Sequence, residues 1–151
     1  MPGCLAQTPP SVRGARRTQL AVTVVDASAL LEVLLRTPAA AKVERRLFGP
    51  YASLQAPCLI DLEVAQVLRR YVASKQISPT RGAQALDDLA GMPLRRWPHD
   101  VLLPRIWELR CNLTAYDAAY VALAEALDAP LVTRDEAIAA APGHRARVEL
   151  T

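Results

Sequence analysis

The run Leu20-Ala-Val-Thr-Val-Val25, which ends on Asp26, limits the possible folds more than any other stretch of the chain. It is almost continuously apolar and β-branched, without the alternation of a strand that has one face in water. Such a strand needs cover on both faces, and a parallel sheet with helices on either side supplies it. The remaining sequence provides matching parts. Further short strands are expected at residues 54–56, 94–97, 130–133 and 147–150. Helical patterns fall at 28–35, 38–48, 59–74, 78–90, 102–111, 115–127 and 135–141. Pro38 sits in the first turn of its helix, and Ser78 and Thr114 stand at N-cap positions. This alternation predicts a three-layer α/β/α domain with a central, mostly parallel sheet of four to five strands.

A chain of 151 residues has room for one domain around one core. None of its apolar runs reaches the roughly 20 residues that span a bilayer, so no membrane is expected. Its formal charge of +3 has a definite location. Residues 1–21 contain Arg13, Arg16 and Arg17 and no acid, whereas residues 22–151 hold 15 basic and 15 acidic side chains. The domain expected at 22–151 therefore lacks the basic excess of a protein that grips nucleic acid by charge alone. Any polyanion would have to be met by local arginines or by a bound cation. The basic residues are 16 Arg and 2 Lys. Arginine suits bidentate phosphate or carboxylate pairing, although genome composition gives the same bias.

Residues 1–21 read as a disordered or loosely attached basic extension, rich in proline and poor in hydrophobic pattern. The Arg16-Arg17 pair invites comparison with a twin-arginine export signal. The apolar stretch after it ends in an acid, however, and no small-residue cleavage pattern follows. A start site assigned too far upstream, or a basic arm touching RNA, fits better. Cys4, Cys58 and Cys111 are odd in number and lack metal-type spacing, as expected of small buried or idle thiols in the reducing cytoplasm.

Four carboxylates stand where decoration does not require them. Asp26 follows the most buried-looking strand, and parallel sheets bind ligands beyond the carboxyl ends of their strands; it also suits an N-cap or turn. Asp135 repeats the arrangement after the strand at 130–133, with an N-cap as its alternative. Glu63 borders the apolar stripe Ile60, Val64, Val67, Leu68 and Tyr71. A carboxylate there is costly unless it binds a metal or pairs with a buried arginine. Asp117 begins a helix that is apolar nearly all round, and with Thr114 it has the spacing of a capping box. Capping and metal binding can coexist, because a cap fixes the orientation of a ligand.

Gathered together and left empty, these acids would repel one another and raise their pKa values. Oxygen donors without His or Cys suit Mg²⁺ or Mn²⁺ over zinc. His99 and His144 have no partner at ligand spacing, and no Ser-His or Cys-His pair suggests a nucleophile.

The segments Val24-Val-Asp-Ala-Ser-Ala-Leu-Leu31, the isolated Glu63, Leu113-Thr-Ala-Tyr-Asp-Ala-Ala-Tyr-Val-Ala-Leu-Ala124 and Leu131-Val-Thr-Arg-Asp135 resemble the motifs of PIN-domain proteins. More narrowly, they are similar to the VapC-type toxins of VapBC toxin–antitoxin pairs over residues 22–151. The resemblance implies a metal-dependent endoribonuclease that cuts tRNA or rRNA and inhibits translation and growth. By position, Asp26, Glu63, Asp117 and Asp135 become an Mg²⁺-binding quartet, for which Mn²⁺ is a substitute. Ser28, Thr133 and Thr114 become supporting residues. A homodimer and a cognate VapB-type antitoxin covering the active site are also implied. In-line attack at phosphorus would leave a 5′-phosphate and a 3′-hydroxyl. Arg69, Arg70 and Arg134 suit either RNA phosphate contacts or a solvated surface. The 21-residue lead-in departs from the usual toxin, whose first motif lies near the start.

Two other readings compete. A phosphoacceptor receiver domain also has an acidic pocket on a parallel sheet, but it needs a lysine after a late strand, and Lys42 and Lys75 both fall in helical segments. A catalytically inactive PIN-like module would only bind RNA or protein; the presence of all four acids speaks against it.

Overall fold

A computed structural model describes residues 20–151. Five strands, β1 (Ala21–Val25), β2 (Ala52–Pro57), β3 (Leu94–Trp97), β4 (Leu131–Thr133) and β5 (Val148–Leu150), form one sheet in the order β3-β2-β1-β4-β5. Every pairing is parallel, so the expectation of a mostly parallel sheet sharpens to a wholly parallel one. β1 lies at its centre, and Val24 and Val25 are fully buried. From β1 the chain first builds outward through β2 and β3, then crosses back to lay β4 and β5 on the other side. The order thus reverses beside β1, where open α/β sheets leave a crevice at the carboxyl ends of their strands.

Helices α1 (Ala27–Leu35), α2 (Ala40–Leu47), α3 (Ile60–Ala73), α4 (Pro79–Gly91), α5 (Leu103–Glu108), α6 (Ala115–Ala126) and α7 (Glu136–Ala140) flank the sheet. The α6 helix packs against β1, β2 and β4, and its residues from Ala118 to Ala124 are all buried. Its small side chains let the helix axis approach the sheet closely.

Most boundaries lie within one or two residues of the sequence reading. Helix α4 starts at Pro79 with Ser78 as its cap, and α6 starts at Ala115 behind Thr114. The segment expected as one helix at 102–111 is shorter and divided. A 3-10 turn at Asp100–Leu102 leads into α5, where Pro104 occupies the first turn. Proline lacks the N–H of a helix interior and is tolerated only there, so the α-helix begins at Leu103. The segment at 38–48 yields α2 from Ala40 without a side-chain cap. Of the basic extension assigned to residues 1–21, all but Leu20 and Ala21 lies outside the described residues, and Ala21 already belongs to β1. Cys58 and Cys111 are free and exposed rather than buried, and Cys4 lies outside the described residues. No helix among the described residues is long and apolar enough to cross a membrane.

Candidate metal centre

The β1–β4 ladder brings Asp26 beside Thr133. The Val24 N–H donates to the Pro130 carbonyl at 2.9 Å, and the Asp26 N–H donates to that of Val132 at 3.2 Å. Asp26 is 5% exposed, and both its carboxylate oxygens are engaged. Oδ1 accepts from the Ser28 hydroxyl at 2.6 Å and from the Ala29 N–H at 3.1 Å; Oδ2 accepts from the Thr133 hydroxyl at 2.5 Å. Asp26 therefore does cap α1. Burial raises its pKa, and these donors pull in the opposite direction.

Thr133 is fully buried and also accepts from the Asp135 N–H at 2.9 Å. Ser28 likewise accepts from the Arg134 N–H at 2.9 Å. Two of the three residues expected to support the site thus join the ends of β1 and β4. Asp135 is tied to Asp26 only through Thr133, and its Oδ1 caps α7 by accepting the Ala137 N–H at 2.8 Å.

Glu63 and Asp117 approach from the helices. Asp117 lies in the first turn of α6, where the helix dipole favours an anion. Its Oδ2 accepts from the Thr114 hydroxyl at 2.7 Å, and its N–H donates back to that hydroxyl at 3.1 Å. Glu63 is half-buried on α3. Its pKa is raised by burial first; the Tyr120 hydroxyl counters this, and the charges of Asp26 and Asp117 add to it. Burial is thus the leading cause, whereas the sequence pointed to mutual repulsion. Its partner is Tyr120, which donates to Oε2, in place of the buried arginine considered above.

Asp26, Glu63 and Asp117 therefore share one electrostatic environment, with Asp135 at its margin. Among the described residues, no three His, Cys, Asp or Glu side chains stand close enough to enclose an ion. Carboxylate oxygens suit a hard divalent cation. Mg²⁺ is commonly held by one or two carboxylates while keeping several waters, unlike ions that need an all-protein cage. The donors are carboxylate oxygens, and neither histidine joins them. His99 Nε2 accepts the Leu59 N–H at 3.1 Å, steadying the start of α3, and His144 Nε2 lies 3.0 Å from the Ile138 carbonyl oxygen. By donor chemistry, the residues fit magnesium or manganese.

Beside the acids runs an open groove of about 940 Å³ between α1 and α3, lined in part by Glu63, Leu62, Tyr116, Arg69, Arg70 and Arg134. All three arginines named from the sequence thus lie along it. Arg134 is paired with Glu32 at 2.7 Å, and Arg69 donates to Gln66 at 3.1 Å. Sequence reasoning missed Tyr120 and Glu32 as parts of the site. A tyrosine on the buried side of an alanine-rich helix, three residues after Asp117, was the available signal for the first; nothing local marked the second.

The family model described as the PIN domain matches residues 23–143. The chain belongs to the PIN-domain family. This PIN domain is 42% identical over 127 residues to Ribonuclease VapC12 of Mycobacterium tuberculosis, covering 84% of this chain and 97% of that one. It is 46% identical over 128 residues to Ribonuclease VapC1 of the same organism, covering 84% and 96%. Within the family it is therefore of the VapC type. Among solved structures, PAE2754 from Pyrobaculum aerophilum gives a TM-score of 0.62 at 23% identity over 92% of both chains. VapBC2 from Rickettsia felis, solved with a DNA fragment from its promoter, gives 0.64 at 14% identity over 85% of this PIN domain and 98% of that chain. At those identities the two structures speak for the fold alone.

Proposed function

We propose that this protein is the Mg²⁺-dependent endoribonuclease toxin of a type II toxin–antitoxin pair. It hydrolyses phosphodiester bonds of tRNA or rRNA in the cytoplasm and so inhibits translation and growth. The observation that carries this reading is Asp26, held by Ser28 and Thr133 at the carboxyl end of β1, with the charges of Asp26 and Asp117 acting on Glu63. Relatives named as VapC ribonucleases, matched over nearly their whole length, support it. The proposal includes a cognate VapB-type antitoxin, in keeping with the VapBC complexes among structures of the same fold, and a homodimeric toxin.

Asp26, Glu63, Asp117 and Asp135 would hold the ion, with Asp26 and Asp117 as its direct ligands. When bound, it supplies Lewis acidity toward a phosphodiester and a hydrolytic water. The protein contributes orientation. Ser28 and Thr133 hold Asp26 from two sides, and Thr114 holds Asp117 by one oxygen. Such fixed carboxylates need little rearrangement to receive a cation. Arg69, Arg70 and Arg134 line the groove and suit contacts to RNA phosphates.

The test is cleavage of total RNA by purified protein with Mg²⁺ and with EDTA. Mg²⁺ should give 5′-phosphate and 3′-hydroxyl ends, and EDTA should abolish them. Asp26→Asn and Asp117→Asn should each lower the rate beyond the roughly 10–100-fold cost of losing an outer supporting group. Full activity of a folded variant, or cleavage in EDTA, refutes the assignment. The open arrangement of the acids also suits a second reading, a PIN domain that binds RNA or protein without cutting. RNA retention without cleavage in Mg²⁺ would favour it.

A further inference from the structure

Tyr120 is 2% exposed in an alanine-rich stretch of α6, one helical turn after Asp117. A phenol in a core costs stability unless its hydroxyl is partnered, and phenylalanine would fill nearly the same space without that cost. The Tyr120 hydroxyl donates to Oε2 of Glu63 on α3, 57 residues away in sequence. One hydroxyl thereby ties α3, which carries Glu63, to α6, which carries Asp117.

A tyrosine hydroxyl ordinarily titrates at about pH 10. The group therefore keeps its proton and serves Glu63 as a donor. Glu63 has a flexible stem, borders an open groove and feels the negative charge of Asp26 and Asp117. Without a restraint, its carboxylate would swing toward solvent. A hydrogen bond to an ionised acceptor is among the stronger restraints a neutral donor can offer.

We propose that Tyr120 is a positioning residue of the acidic site, whose hydroxyl anchors Glu63 beside Asp26 and Asp117 where it can take part in divalent-cation binding. This rests on the metal-dependent reading above. The experiment is Mn²⁺ binding to the metal-free full chain, followed by electron paramagnetic resonance. It compares wild type, Tyr120→Phe, Glu63→Gln and the double variant, with melting curves recorded alongside. Tyr120→Phe should fold and bind Mn²⁺ about tenfold more weakly. The double variant should bind no more weakly than Glu63→Gln alone, because the two side chains act as one unit. A phenol with only a packing role would shift the melting curve and leave affinity unchanged.

Tyr120→Phe affinity within twofold of wild type overturns the proposal, as does a full tenfold further loss on top of Glu63→Gln. Glu63→Asp gives a test independent of the tyrosine variant. It withdraws the carboxylate by one methylene and should bind as weakly as Tyr120→Phe; wild-type affinity there also overturns the proposal. A wild-type chain that binds no Mn²⁺ refutes the metal reading itself. Wild-type binding with an unaffected Tyr120→Phe refutes only the role of Tyr120.

Discussion

Thr133 is a small residue with a disproportionate share of connections. Its fully buried hydroxyl donates to Asp26 and accepts from the Asp135 backbone, so one oxygen links both strand-terminal acids. Thr133→Val keeps the shape and removes both bonds, leaving a buried carboxylate oxygen and an N–H without partners. The expected loss is about 1–3 kcal/mol. Urea denaturation should show a lower midpoint with an unchanged slope. A midpoint equal to that of wild type would mean that the Asp26 carboxylate is satisfied without Thr133.

At the scale of elements, the caps set where the acids stand. Thr114 both starts α6 and holds Asp117, whereas Ser78 starts α4, a helix with none of the four acids. Thr114→Ala and Ser78→Ala should each cost about 1 kcal/mol in chemical denaturation. Only Thr114→Ala should also reduce RNA cleavage; an equal effect on activity from both would separate cap geometry from the site. These caps also explain what the sequence revealed. Ser78, Thr114 and the apolar run before Asp26 act within a few residues of themselves, so element positions and two site residues were legible locally. The Tyr120–Glu63 and Arg134–Glu32 contacts depend on how distant helices and loops dock, and no local pattern encodes that. Mutual repulsion was a sound expectation for the acids, yet at Glu63 it ranks below the effect of burial.

For the whole molecule, stability should respond to pH in two opposing ways. The folded pKa values of Asp26 and Glu63 lie above their ordinary 3.8 and 4.5. Their stabilising contribution is therefore full below those ordinary values and is lost as pH rises through the folded ones. Glu125 is the reverse. Its hydrogen bond from Arg105 holds its pKa below 4.5, so its contribution is present above that value and fades as pH falls through the lowered one. In the metal-free protein, Glu63→Gln should thus become progressively more stable relative to wild type as pH rises from the ordinary 4.5 through the raised folded value. Paired melting curves across that range check it, and a constant difference would contradict the raised pKa of Glu63.

The position of β1 at the centre of the sheet has a consequence in time. It emerges first among the strands, yet its far neighbour β4 follows only after more than a hundred residues. The hydrogen bond from Thr133 to Asp26 spans 107 positions. Contacts of such long range close late, since the loop between them must be ordered first. At bacterial-type synthesis rates of about 5–20 residues per second, roughly 5–20 s separate the two residues at the ribosome. During that interval the nascent chain carries its first acid without the partner that fixes it. Assembly of the acidic site is thus deferred until nearly the whole domain has been made.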